Sequence, residues 1–323
     1  MNLFDNSDFR PLLLTGFPGL EASHPQISVL FCVLYLIAII GNSLILVVIW
    51  KAQSLHEPMY YFLSMLAASD LGLCATTLPT LLKLFWLNAC QIAFDSFLVQ
   101  MFFIHAFSLM ESSILMTMAF DQYIAISNPL HYKSILTNAT ITKIGFGLIL
   151  KATVVIPPGP FLNKTLKFYK ANVLSHSYCL HPDIIKLSCS DHHINSIYGL
   201  IILLIIFGLV SVFILLYYLR ILITVLGIAS HEEQLKALNT CVSHICAVFL
   251  VYIPMLGVSI IHHCGKHVPS VIHIITGYVY LFVPPVLNPI VYWIKTHEIC
   301  PHILRLCWAK YKKKRRKCLS NKK

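Results

Sequence analysis

The sequence predicts an all-α membrane protein, a seven-transmembrane helix bundle with a short amphipathic eighth helix. Composition, the spacing of apolar runs and the position of the charge carry that prediction. Hydrophobic residues fill 57% of the 323 positions, charged residues only 11%, and mean hydropathy is +0.75. A soluble domain holds about 25% charged residues, so this chain lacks the polar surface that a water-exposed fold requires. Apolar windows of roughly 20 residues, enough to cross the hydrocarbon core as a helix, fall near 27–50, 59–83, 97–121, 141–161, 197–225, 237–262 and 270–294. The net charge of +11 sits at one end: from Lys295 onward there are 11 Lys/Arg and one acid, Glu298.

The division that follows is an extracellular N-terminus over 1–26, the bundle over 27–294, and a cytoplasmic helix with a basic tail over 295–323. Leu12, Leu13 and Leu14, flanked by Asp5 and Asp8, are too short an apolar core for a cleavable signal, so the first span reads as a signal anchor. An odd number of spans puts the termini on opposite sides. The run Lys310, Lys312, Lys313, Lys314, Arg315, Arg316 and Lys317 places the tail on the cytoplasmic side, against anionic lipid. Lys51, Lys133 and Lys143 agree with that orientation, whereas Lys164, Lys167, Lys170 and Lys186 make an outer loop basic as well. A basic chain invites a nucleic-acid reading, but charge confined to one tail of so apolar a protein argues for no nucleic-acid partner.

Proline marks the helices in order. Pro157, Pro158 and Pro160 are expected to end or break the fourth, Pro254 to kink the sixth, and Pro284, Pro285 and Pro289 to kink the seventh. No internal repeat is visible, which disfavours a carrier built from repeats, although a seven-span transporter or channel remains an alternative.

Ionisable and polar groups inside spans are expensive and therefore functional candidates. Asn42, Asp70 and Asn288 could form one buried cluster able to hold a cation such as sodium, or serve only as interhelical hydrogen bonds. Glu111 and Lys151 each need a partner that the sequence does not name. His105, Ser108 and Ser112 recur at i, i+3 and i+7 and share a face of the third helix, as Ser259 and His263 do on the sixth. Imidazoles facing a cavity there would donate hydrogen bonds to a weak acid, while a serine stripe also serves plain helix packing.

No enzyme is expected. His176, Cys179, Cys189 and His192 are the nearest approach to a metal set and lack a zinc-type spacing. Neither a phosphate-binding loop nor a nucleophile elbow is present, and no cofactor is implied.

Residues 55–70 read LHEPMYYFLSMLAASD, 118–132 MAFDQYIAISNPLHY, 236–244 KALNTCVSH and 284–292 PPVLNPIVY. In that order and spacing the chain resembles an odorant receptor, a subfamily of rhodopsin-like G-protein-coupled receptors. LSHSYCLHPD (174–183), QMFFIH (100–105) and GKHVP (265–269) resemble the class I, fish-like branch. The resemblance implies an activation core of Asn42, Asp70, Asp121, Gln122, Tyr123, Asn288, Pro289 and Tyr292. It implies a ligand pocket at His105, Ser259 and His263 for a small volatile or aliphatic acid, and a heterotrimeric G protein of the Gs type that raises cAMP.

The chain also departs from the family pattern. Asp121-Gln122-Tyr123 replaces Asp-Arg-Tyr, so the usual cationic link is absent. Phe97 stands where a disulfide cysteine is expected, leaving Cys179 to pair with Cys90 or Cys189, and Tyr169 replaces a second loop cysteine. Asp5 precedes Asn6-Ser7 where the family carries its N-terminal glycosylation asparagine, so the remaining outer sequon is Asn163-Lys164-Thr165. His263 stands where class I receptors often carry arginine. Cys300 and Cys307 are candidates for palmitoylation beside an eighth helix. A degraded, weakly signalling receptor is the alternative that these departures suggest.

Overall fold

A computed structural model describes residues 12–17, 23–87, 90–166, 173–174, 178–179, 184–185, 187–188, 190, 192–264 and 268–295, without the side chains of 240, 262–264, 270 and 295. Among these residues seven helices are long and apolar enough to cross a membrane. The first spans His24–Lys51, the second Pro58–Trp86 and the third Phe94–Ser127. The fourth runs Asn138–Val155 and resumes as Pro158–Lys164. The fifth covers His193–Leu203, a π-helical turn Leu204–Leu209 and Val210–Leu226. The sixth is His231–Cys264 and the seventh Ser270–Lys295. Each apolar window of the sequence falls within one of these spans, the fourth interrupted at Ile156–Pro157.

Helix ends obey local chemistry. Pro25 and Pro58 occupy first-turn positions, where a missing N–H costs nothing and the fixed φ suits the helix. Thr137 caps the fourth helix by accepting from the Thr140 N–H at 3.3 Å. Glu232 and Glu233 lie in the first turn of the sixth, where the dipole favours anions. The expected proline break occurs at Ile156–Pro157. The sixth helix continues through Pro254, and the seventh through Pro284, Pro285 and Pro289. The eighth helix, the basic tail and its cysteines lie outside the described residues.

The third helix is the hub. In its apolar window 67% of residues are buried, against 17% in the fourth, whose apolar side chains face lipid. At one end of the bundle a three-stranded sheet joins β1 (Leu12–Leu14), antiparallel to β2 (Gln91–Ile92) and parallel to β3 (Val173–Leu174). Leu12 and Leu14 are buried on a core that includes Phe97, Met101, Tyr178, Cys179 and Tyr278. The leucine run too short for a signal thus closes the sheet end of the bundle.

Candidate functional site

The polar centre assembles from helices one, two, three and seven. Pro289 has no N–H, so the Pro285 carbonyl one turn earlier lacks its helical donor. Asn42 supplies the replacement, its Nδ2 donating to Pro285 O at 3.0 Å and to Ala38 O at 3.0 Å. The absent side chain of Gly41 permits this approach, because a Cβ there would stand 3.0 Å from Pro289 Cβ. Asn288 Nδ2 donates to Asp70 Oδ2 at 3.2 Å. The Glu111 carboxyl is buried near that of Asp70, so the neighbour that the sequence left open is a second acid. Asp70 Oδ1, Glu111 Oε1 and Asn288 Oδ1 remain buried without hydrogen-bond partners. Tyr292 closes the cluster, buried with its hydroxyl 3.9 Å from Met118 Sδ.

Toward the sheet end, hydrogen counting tells which of the expected pocket residues are already bonded. Ser108 donates to Ile104 O at 2.9 Å, so the short contact to Tyr280 Oη at 2.5 Å has the phenol as donor. Ser112 donates to Ile206 O at 2.9 Å, a carbonyl in the π-helical turn, and receives the Tyr252 hydroxyl at 2.8 Å. Both serines are therefore already occupied, tying the third helix to the fifth, sixth and seventh. His105 differs: its Nε2 is buried and meets no partner. Ser259 is half-buried, and the side chain of His263 lies outside the described residues.

At the opposite end Asp121 and Gln122 point to different neighbours. Asp121 accepts from the Tyr132 hydroxyl at 2.8 Å. Burial beside Asp121 pushes the Tyr132 phenol well above its ordinary range, so it stays a donor. Gln122 Oε1 accepts from Tyr218 at 3.1 Å, and Tyr218 also contacts His244 Nδ1. Tyr123 stacks on Tyr217 with ring centroids 5.8 Å apart. Tyr218, His244, Tyr252 and Tyr280 were absent from the sequence-derived site. Helix-face periodicity signals none of them, because each acts through a partner on another helix.

The departures have physical substitutes. Phe97 is wholly buried beside Cys179 in the sheet-end core, against which Cys90 packs, and Cys189 lies outside the described residues. Asn163 lies at the sheet end of the fourth helix, 0% exposed. Its Nδ2 donates to Met101 Sδ at 3.6 Å and its Oδ1 accepts from Asn195 at 3.0 Å, so the folded bundle withholds that amide from a glycan. Lys151 Nζ donates to Ser113 Oγ at 3.1 Å. Among the described residues no cluster of His, Cys, Asp and Glu suited to a metal ion is present.

Comparison with known proteins agrees with this architecture. The olfactory receptor family model matches residues 31–310. Human olfactory receptor 51L1 is 52% identical over 301 residues, covering 93% of this chain and 96% of its own. Human olfactory receptor 51I2 is 53% identical over 306 residues, covering 95% and 98% respectively. Human olfactory receptor 51G1 is 52% identical over 307 residues, covering 94% and 96%.

Proposed function

The chain belongs to the olfactory receptor family, and from that premise we propose that it binds a small carboxylic acid or similar volatile at His105 and signals through a Gs-type G protein to raise cAMP. As a family member it is a multi-pass membrane receptor rather than an enzyme, with an odorant as ligand and a G protein as partner. The single observation that favours this ligand class is the buried, unmet Nε2 of His105. Ser108 and Ser112 already hold tyrosines, so the imidazole is the polar group to which an incoming carboxyl can offer a hydrogen bond. Ser259 and His263 complete the proposed pocket from the sixth helix. Their approach on ligand binding would bias the bundle between two packings.

The polar centre suits a coupling role. The unmet oxygens of Asp70, Glu111 and Asn288 form a hard, acidic donor set. Such a set fits a sodium ion or a shared proton, and it lies beside the Asn42–Pro285 tie that holds the seventh helix. In the orientation we propose, the sheet end is extracellular and the basic tail meets cytoplasmic lipid. A degraded receptor is the weaker reading, because Phe97 fills a core position and Gln122 is hydrogen-bonded. Family membership sets a transporter or channel aside.

A cAMP assay in cells with surface tagging, using short and medium aliphatic acids, tests the proposal. His105→Ala should abolish the response at unchanged surface level, and an unchanged dose curve would overturn the assignment. Gln122→Arg, run alongside, reads how far coupling depends on the missing cation.

A further inference from the structure

Gln122 of the third helix, Tyr218 of the fifth and His244 of the sixth meet at the end of the bundle away from the sheet. Tyr218 Oη lies 3.1 Å from Gln122 Oε1 and in hydrogen-bond contact with His244 Nδ1. Its ring stacks on the imidazole with centroids 5.8 Å apart. Gln122 is 6% exposed and His244 0%, so both partners of the half-buried Tyr218 are shut off from water. A phenol owns one proton, and an amide oxygen can only accept. The Tyr218 proton is therefore directed at Gln122. The contact to Nδ1 is then a hydrogen bond only if the ring nitrogen brings its own hydrogen.

We propose that a one-way chain runs from His244 Nδ1–H to the Tyr218 hydroxyl to Gln122 Oε1, with Gln122 as the terminal acceptor that positions helices three, five and six. The opposite polarity would need the Gln122 amide turned, with its N–H facing Tyr218 and the phenol donating to a bare Nδ1. The ring proton would then sit on Nε2, which has no hydrogen-bond partner. The Leu115 carbonyl lies near the ring, but Nε2 meets no acceptor in hydrogen-bond geometry. An orphaned buried N–H is the rarer and costlier defect than an unmet lone pair. Asp121 takes no part, since it is held by Tyr132.

The resembled family carries arginine at this position, and a guanidinium has donors and no acceptor. Arginine facing Tyr218 would turn the phenol proton toward His244 and move the ring proton to Nε2. Gln122 is thus more than a shortened, uncharged arginine. It reverses the hydrogen-bond direction across the three helices, independently of whether the receptor signals.

The test is solid-state NMR of the full-length receptor in bilayers, labelled with ¹⁵N-histidine. The His244 resonances are identified by difference against a His244→Asn variant. In the parent, Nδ1 should resonate as a protonated ring nitrogen and Nε2 as a bare one. Gln122→Glu, which retains an acceptor oxygen, should preserve that pattern. Gln122→Arg and, independently of any charge effect on folding, Gln122→Met should exchange the two nitrogens. An Nε2–H or doubly protonated ring in the parent, or a pattern unmoved by both Arg and Met, would overturn the proposal.

Discussion

Replacing Asn42 by alanine removes a side chain that substitutes for a backbone donor, and the loss should depend on Pro289. Asn42 Nδ2 bonds Pro285 O and Ala38 O, both at 3.0 Å. The Ala38 carbonyl belongs to a regular stretch of the first helix, whereas that of Pro285 has lost its donor one turn on, since residue 289 is proline. A buried carbonyl left unmet costs about 1–3 kcal/mol. At roughly 2–4 °C per kcal/mol, Asn42→Ala should lower the unfolding midpoint by about 2–12 °C. Purified receptor in detergent at one fixed scan rate gives the measurement, because membrane-protein midpoints are commonly rate-dependent. In a Pro289→Ala background the new N–H can reach the Pro285 carbonyl, and the same Asn42→Ala change should cost clearly less. Equal losses in the two backgrounds, agreeing within about 0.5 kcal/mol, would mean independent sites and refute the reasoning.

Other substitutions probe the sheet end. Phe97→Ala should destabilise by about 3–5 kcal/mol, read as a lowered midpoint, since it empties a fully buried aromatic site. Phe97→Cys should recover part of that loss only if mass mapping under non-reducing conditions finds it bonded to Cys179. Asn163→Gln should leave electrophoretic mobility after surface maturation unchanged, because the native amide is buried and bonded to Met101 and Asn195. A glycosidase-sensitive shift that the variant abolishes would show that the modified chain packs its fourth helix differently.

The spans were legible in the sequence because burial in lipid needs only length and apolarity, both local properties. The proline break at Ile156–Pro157 was legible for the same reason: proline acts on its own turn. The sequence leaves open whether Asn42, Asp70 and Asn288 form one cluster or plain interhelical hydrogen bonds; the geometry ties Asp70 to Asn288 and Asn42 to the Pro285 carbonyl. What was not legible depends on pairing across the chain. The strand Leu12–Leu14 exists only because residues near 91 and 173 offer it partners. Ser108 and Ser112 looked available on a helical wheel, yet Tyr280 and Tyr252 already donate to them. Asn163 fits a sequon as text, but the fold turns it inward against Asn195.

The departure at Gln122 changes what opening the bundle would involve. With arginine, Asp121 would be expected to hold its cationic neighbour, and release of that pair would free a charge. Here Asp121 is committed to Tyr132, on the short helix Tyr132–Ile135, at 2.8 Å. Gln122 instead reaches Tyr218 on the fifth helix. The two adjacent residues therefore pin the third helix to separate elements, and no ion pair links them. Moving the sixth helix outward would break the His244–Tyr218 contact while leaving Asp121–Tyr132 intact. Opening would then cost neutral hydrogen bonds, about 0.5–1.5 kcal/mol each in net terms, rather than the separation of a buried ion pair, for which about 3–5 kcal/mol is typical when one partner is removed. On that comparison the hydrogen bonds at this end would resist opening less than a buried ion pair would. In the reading proposed above, what the chain gives up is a cation at this end, a loss felt in the open form and not in the closed one.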